Sequence, residues 1–128
     1  MSSSVHNHKT WVEVSKKTLK NNTKIVRKLL TPDTKLLAVV KSNAYGHGLV
    51  ETARLFSGLG DNWLGVDNID EAVLLRKNGI KSAILVMGYT PAGRFYEAAR
   101  HDFRLTVYNQ IKPAKMVIGR GPKPKFHL

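Results

Sequence analysis

Lys41 closes an apolar run, Ala38-Val39-Val40, and opens a polar one, Ser42-Asn43-Ala44-Tyr45-Gly46-His47-Gly48. A lysine where a strand stops puts one amine at the rim of a sheet. The two glycines that follow let backbone come close to a ligand. Such an amine suits carbonyl chemistry, because partial burial of a lysine frees the lone pair that attacks a carbonyl carbon. By type alone most lysines are solvated, and only the setting singles out Lys41. The remaining candidates weigh less. Gly46-His47-Gly48 reads as a strand-to-helix turn rather than a phosphate or metal site. His6 and His8 have a spacing seen in some metal sites, but they sit in a polar tail without a nearby carboxylate, and no metal site is expected. Gly119-Arg120-Gly121 with Lys123 and Lys125 reads as a solvated loop more than an anion site. Met87 at a strand end, Trp11 and Trp63 read as core.

The elements that must position Lys41 follow from periodicity. Residues 1–10 are expected to be a disordered tail. Trp11–Val14 alternates and predicts a short strand. Ser15 is an N-cap for a helix over about 16–30, with Leu19, Val26, Leu29 and Leu30 as its apolar stripe. Leu36–Val40 is continuously apolar, as expected of a parallel strand buried on both faces. A helix over 49–58 presents Val50, Ala53, Leu55 and Phe56. Strand 63–66 and helix 69–78 follow, the latter closed by Gly79. Strand 83–87 leads to Thr90 as N-cap and Pro91 as first residue of a helix to about 100. Strand 103–107, a weaker helix over 109–118, a turn at 122–124 and an opening strand at 125–128 complete the chain. Strand and helix alternating in this way mean βαβ units and a parallel sheet. The class is α/β, and the series is about the first half of a (β/α)₈ TIM-type barrel, which needs roughly 250 residues.

The chain has 128 residues and no cysteine, which excludes disulfides, thiolate catalysis and cysteine-ligated zinc. No apolar run reaches the roughly 20 residues of a membrane span, and no secretory leader is visible. A cytoplasmic location is the expectation, with no membrane partner. The formal charge of +12 raises nucleic-acid binding as a reading. However, Lys16, Lys17, Lys20, Lys24 and Lys28 fall on a helix whose other face is apolar, the pattern of a solvated face. No nucleic-acid partner is expected.

Val39-Val40-Lys41-Ser42-Asn43-Ala44-Tyr45-Gly46-His47-Gly48 closely resembles the cofactor-lysine motif of alanine racemases, and the likeness runs from Trp11 to Leu128. The resemblance implies pyridoxal 5′-phosphate as cofactor, with Lys41 matching the lysine that forms the internal aldimine. It also implies that Tyr45 lies beside the cofactor phosphate and that Val39 and Met87 lie at apolar positions near the cofactor. Asp70-Glu-Ala-Val-Leu-Leu-Arg76-Lys-Asn-Gly79 resembles a helix signature of the family with a structural role there. Phe126-His127-Leu128 resembles the start of a family strand that continues with lysine. By the same resemblance the full-length family is homodimeric, and its second base, a tyrosine, comes from the C-terminal domain of the partner subunit. Residues 11–128 are thus expected to be an N-terminal barrel fragment, inactive alone, of an enzyme interconverting L-alanine and D-alanine for peptidoglycan. A racemase of another amino acid, a non-catalytic pyridoxal-phosphate carrier and a basic binding protein remain open as alternatives.

Overall fold

The computed structural model describes residues 9–60, 62–108 and 121–128. His6, His8, the helix expected over 109–118, Gly119 and Arg120 lie outside the described residues. Ser15 caps the first helix, α1 (Lys16–Lys28): its hydroxyl accepts the Thr18 backbone N–H at 3.2 Å. Arg27 and Lys28 stand in the last turn, where cations suit the carbonyl end of the dipole. The lysines of α1 are exposed, as expected. Leu29 is the C-cap instead of a core position and is 81% exposed, so the apolar stripe ends earlier than its periodicity implies.

After α1 come β1 (Leu36–Val39), a short turn α2 (Lys41–Tyr45), α3 (Leu49–Ser57) and β2 (Asn62–Val66). Next are α4 (Ile69–Lys77), β3 (Ile84–Val86), a 3₁₀ turn (Ala92–Arg94), α5 (Phe95–Arg100), β4 (Phe103–Thr106) and β5 (Lys125–His127). All strand pairs are parallel and the order is β1-β2-β3-β4-β5. Sequential order without reversal is how a barrel wall is laid down; a doubly wound sheet would switch direction. The expected α/β architecture, part of a (β/α)₈ barrel, is therefore the one observed.

Alternation sorts the strands into two faces. Leu64, Val66, Ile84, Val86, Phe103 and Leu105 are fully buried and join Ala53, Ala72, Leu75 and Ala98 of the helices in one core. Each such aliphatic or aromatic side chain contributes about 1.5–3 kcal/mol on burial. The opposite face carries Leu37, Val39, Trp63, Leu85 and Arg104 by register. Arg76 ties helix to strand: its guanidinium donates to the Ile80 and Ser82 carbonyls at 2.7 and 2.9 Å and to His101 at 3.2 Å, and lies over the Phe103 ring. Burial pushes its pKa below the usual arginine value, with Asp102 partly opposing.

Four expectations need correction. Trp11–Val14 is not a strand: no strand pairs with it among the described residues, and the Trp11 indole donates instead to Glu13 at 2.8 Å. Trp11 is 53% exposed, so it is not core. β1 is not buried on both faces: its residues are only partly buried, and Val39 remains 37% exposed. Thr90 does not cap a helix; the first turn after Pro91 is 3₁₀, and the Thr90 hydroxyl is buried with no hydrogen-bond partner among the described residues. Trp63, expected as core, is half-buried on the inner face with the Arg104 guanidinium stacked 4.2 Å over its ring.

Candidate active site

The strand ends converge on Lys41. β1 stops at Val39, and the Val40 N–H donates to the Gly65 carbonyl at 2.8 Å, holding the last β1 residues against β2. The backbone then turns left-handed. Ser42, Asn43 and Ala44 have φ of 53°, 55° and 51° with ψ of 53°, 37° and 44°, and Tyr45 has φ of 53°. A run of non-glycine residues in this region costs on the order of 1–2 kcal/mol each, and single residues are the usual limit. Surrounding bonds therefore must hold it. Asn43 Oδ1 accepts the Leu49 N–H at 2.9 Å, filling an orphan donor of α3. His47 Nδ1 lies 2.9 Å from the Ala44 carbonyl oxygen. Gly46 and Gly48, both at φ 91°, release the chain into α3. The Gly46-His47-Gly48 segment is thus the turn its composition implies.

Lys41 is half-buried, and its Nζ stands 3.4 Å from Asp67 Oδ1, just beyond β2. Asp67 is fixed through its backbone from two sides. Its carbonyl accepts the Gly88 N–H at 2.8 Å, and its N–H donates to Glu71 Oε2 at 2.8 Å. The other oxygen, Glu71 Oε1, accepts the Ser42 N–H at 2.7 Å. Glu71 itself sits in the first turn of α4, whose N-cap Asn68 accepts the Glu71 N–H at 3.0 Å.

Val39 and Met87 both reach the space over Gly65. A side-chain carbon there would lie 2.8 Å from Met87 Sδ and 3.4 Å from Val39 Cγ2. Glycine is what leaves room for both apolar groups, two residues before Lys41 and Asp67. Tyr45, at the far end of the left-handed turn, is 63% exposed. At and just beyond the end of β4, the Thr106 hydroxyl donates to the Val86 carbonyl at 3.0 Å and the Tyr108 hydroxyl to that of Met87, securing the end of β3.

The structure thus places Val39 and Met87 both against Gly65 and puts Lys41 beside a carboxylate that sequence reasoning missed. Asp67 carries no local signal. Glu71 carries half of one, since Asn68-x-x-Glu71 has capping-box spacing. Its bond to Ser42, 29 residues away, has none. No group of three histidine or acidic residues is placed to hold a metal among the described residues. None of the described helices is long and apolar enough to cross a membrane.

Residues 14–118 match the family model described as "Alanine racemase, N-terminal domain". The chain is 46% identical over 123 residues to alanine racemase 1 of Oceanobacillus iheyensis, covering 92% of this chain and 32% of that protein. It is 40% identical over 122 residues to alanine racemase of Geobacillus stearothermophilus, covering 93% and 31%. The crystal structure of alanine racemase from Bacillus anthracis with bound L-Ala-P superposes with a TM-score of 0.86 at 35% identity, over 96% of this chain and 32% of that one. A histidine racemase from Leuconostoc mesenteroides superposes with a TM-score of 0.76 at 29% identity, over 87% and 30%. The chain spans about a third of the length of the curated relatives it matches.

Proposed function

Because this chain belongs to the alanine racemase N-terminal domain family, we propose that it contributes the cofactor lysine, Lys41, to a pyridoxal 5′-phosphate-dependent racemase acting on alanine. The observation that carries the reading is the Lys41 amine itself: half-buried at the carboxyl end of β1 and 3.4 Å from one carboxylate, on a sheet where Val39 and Met87 both reach the space over Gly65. Barrel active sites are built at that end of the strands. The donor set fits such a group, with a primary amine for its carbonyl carbon and an apolar surface for its ring. Pyridoxal phosphate, when bound, supplies the electron sink that stabilises a carbanion at the substrate Cα.

The chain's own part is to bind and to move one proton. Lys41 holds the cofactor through Nζ and serves as base toward the substrate Cα on one face. Asp67 keeps that Nζ oriented. Val39 and Met87 flank the ring, and the exposed Tyr45 hydroxyl serves the phosphate, as the resemblance implies. Inversion needs a second base on the opposite face. By the same resemblance it is a tyrosine of the partner subunit's C-terminal domain, so the working enzyme is a cytoplasmic homodimer supplying D-alanine for peptidoglycan. Losing one general base costs typically 10²–10⁴ in rate, and residues 1–128 alone are therefore inactive as a racemase.

Incubation of the 128 residues with pyridoxal phosphate and L-alanine in D₂O tests this. The expected result is slow deuterium uptake at Cα that Lys41→Ala abolishes, with negligible D-alanine by chiral chromatography. D-alanine formed within about tenfold of an intact racemase would show that the second base has been misplaced. The histidine racemase among the structural neighbours supports a second reading, a different amino acid as substrate. Faster exchange with L-histidine than with L-alanine would select it.

A further inference from the structure

We propose that Glu71 is a positioning residue for Lys41: one carboxylate clamps the backbone of both members of the Lys41–Asp67 pair. The inference rests on the reading of Lys41 as the cofactor lysine. Glu71 Oε1 takes the N–H of Ser42, the peptide that leaves Lys41, and Oε2 takes the N–H of Asp67. Bonds from N–H to an ionised carboxylate are among the stronger ones. They are placed where strength is needed, at the first residue of the left-handed turn, which no run of non-glycine residues adopts unaided.

Helix capping alone does not account for this geometry. In a capping box the N3 carboxylate returns to the N-cap N–H. Here it bonds one residue earlier, to Asp67, and gives its other oxygen to a separate element. The N-cap function is already met by Asn68. With both Glu71 oxygens engaged by N–H groups, Asp67 is the carboxylate left to face the Lys41 amine at 3.4 Å. Release of the clamp frees the Ser42 peptide, and Nζ loses its fixed distance from Asp67.

The test uses the full 128-residue chain and two readouts. The first is amide hydrogen exchange at Ser42 and Asp67 by NMR, without cofactor. The second is the rate at which pyridoxal phosphate with cyanoborohydride labels Lys41, read by peptide mapping. Glu71→Gln turns one acceptor into a donor facing an N–H. It is expected to speed exchange at Ser42 or Asp67 and to slow Lys41 labelling about tenfold, the scale of one charge-assisted bond. Asn68→Ala, which removes the α4 cap and leaves the clamp, is expected to change neither by more than twofold. Should Glu71→Gln not fold, Glu71→Asp keeps the charge but is one methylene short, and is expected to lose Ser42 protection first. Equal effects of Asn68→Ala and Glu71→Gln would reduce Glu71 to a cap and overturn the proposal. Unchanged exchange at both Ser42 and Asp67 in the Glu71 variants would overturn it too, whether or not Lys41 is labelled. Failure of the wild-type chain to label at Lys41, with Ser42 exchange still dependent on Glu71, would instead refute the cofactor reading and leave the clamp standing.

Discussion

Gly88→Ala is the substitution whose effect follows most directly from the geometry. A methyl on Gly88 would lie 2.4 Å from the Asp67 carbonyl oxygen, which is backbone and cannot rotate aside. An ordinary carbon–oxygen contact is about 3.3 Å or more, so the end of β3 and the β2–α4 loop must part by roughly 1 Å. Overpacking of this kind costs typically 1–3 kcal/mol. The Gly88 N–H to Asp67 bond at 2.8 Å stretches at the same time, worth about 0.5–1.5 kcal/mol. Together the loss is about 1.5–4.5 kcal/mol, a large part of the 5–15 kcal/mol that holds a typical domain. The Lys41–Asp67 distance opens as well, because the Asp67 backbone is what moves. Gly93→Ala is the control: nothing lies within 4 Å of its added carbon and its φ is not positive, so it should stabilise by about 0.4–1 kcal/mol. Urea titration monitored by far-UV circular dichroism measures both. A Gly88→Ala chain as stable as Gly93→Ala would refute the reasoning that Gly88 is fixed by close approach to Asp67.

Other outcomes are equally specific. Thr90→Val replaces a buried, unpartnered hydroxyl with a methyl of similar size and should raise stability by about 1–3 kcal/mol; a lower melting temperature would mean the hydroxyl has a partner. Phe103→Ala empties a fully buried site and should cost about 3–5 kcal/mol, seen as a leftward shift of the urea midpoint. Glu97 is held below its ordinary value of 4.5, first by the side-chain hydrogen bond from Arg94. A depressed folded-state pKa stabilises above the unfolded value and is lost as pH falls through the folded one. Glu97→Gln should therefore flatten the decline of thermal stability below about pH 4.5, and an unchanged acid limb would contradict it.

What was legible in the sequence is what short-range patterning controls. Ser15 caps, Gly79 terminates, and the apolar runs from 36 to 40, 83 to 87 and 103 to 107 mark β1, β3 and β4 to within one residue at each end. The failures share a cause, since they depend on what lies across from a residue. Trp11–Val14 alternates correctly yet finds no strand to pair with among the described residues. Leu36–Val40 is apolar enough for burial on both faces, but β1 is only partly buried. Thr90-Pro91 has the right chemistry for a cap, and the chain tightens into a 3₁₀ turn there instead. At the candidate site, Lys41 is singled out by strand-end position and glycine spacing, both of which are local. Asp67 and Glu71 were missed because their roles arise from contacts 26 and 29 residues apart. The left-handed run of Ser42–Tyr45 was also hidden, since three of its four residues are not types that favour positive φ.

Among the many basic groups of this chain, we propose one amine, that of Lys41, for a carbonyl cofactor. Reduction of a mixture of the chain and pyridoxal phosphate with borohydride, followed by peptide mapping, tests it most directly. A single dominant phosphopyridoxyl adduct on Lys41, absent from Lys41→Ala, is the expected result. Label spread across Lys16, Lys17, Lys20, Lys24 and Lys28 at a level comparable to Lys41 would contradict it.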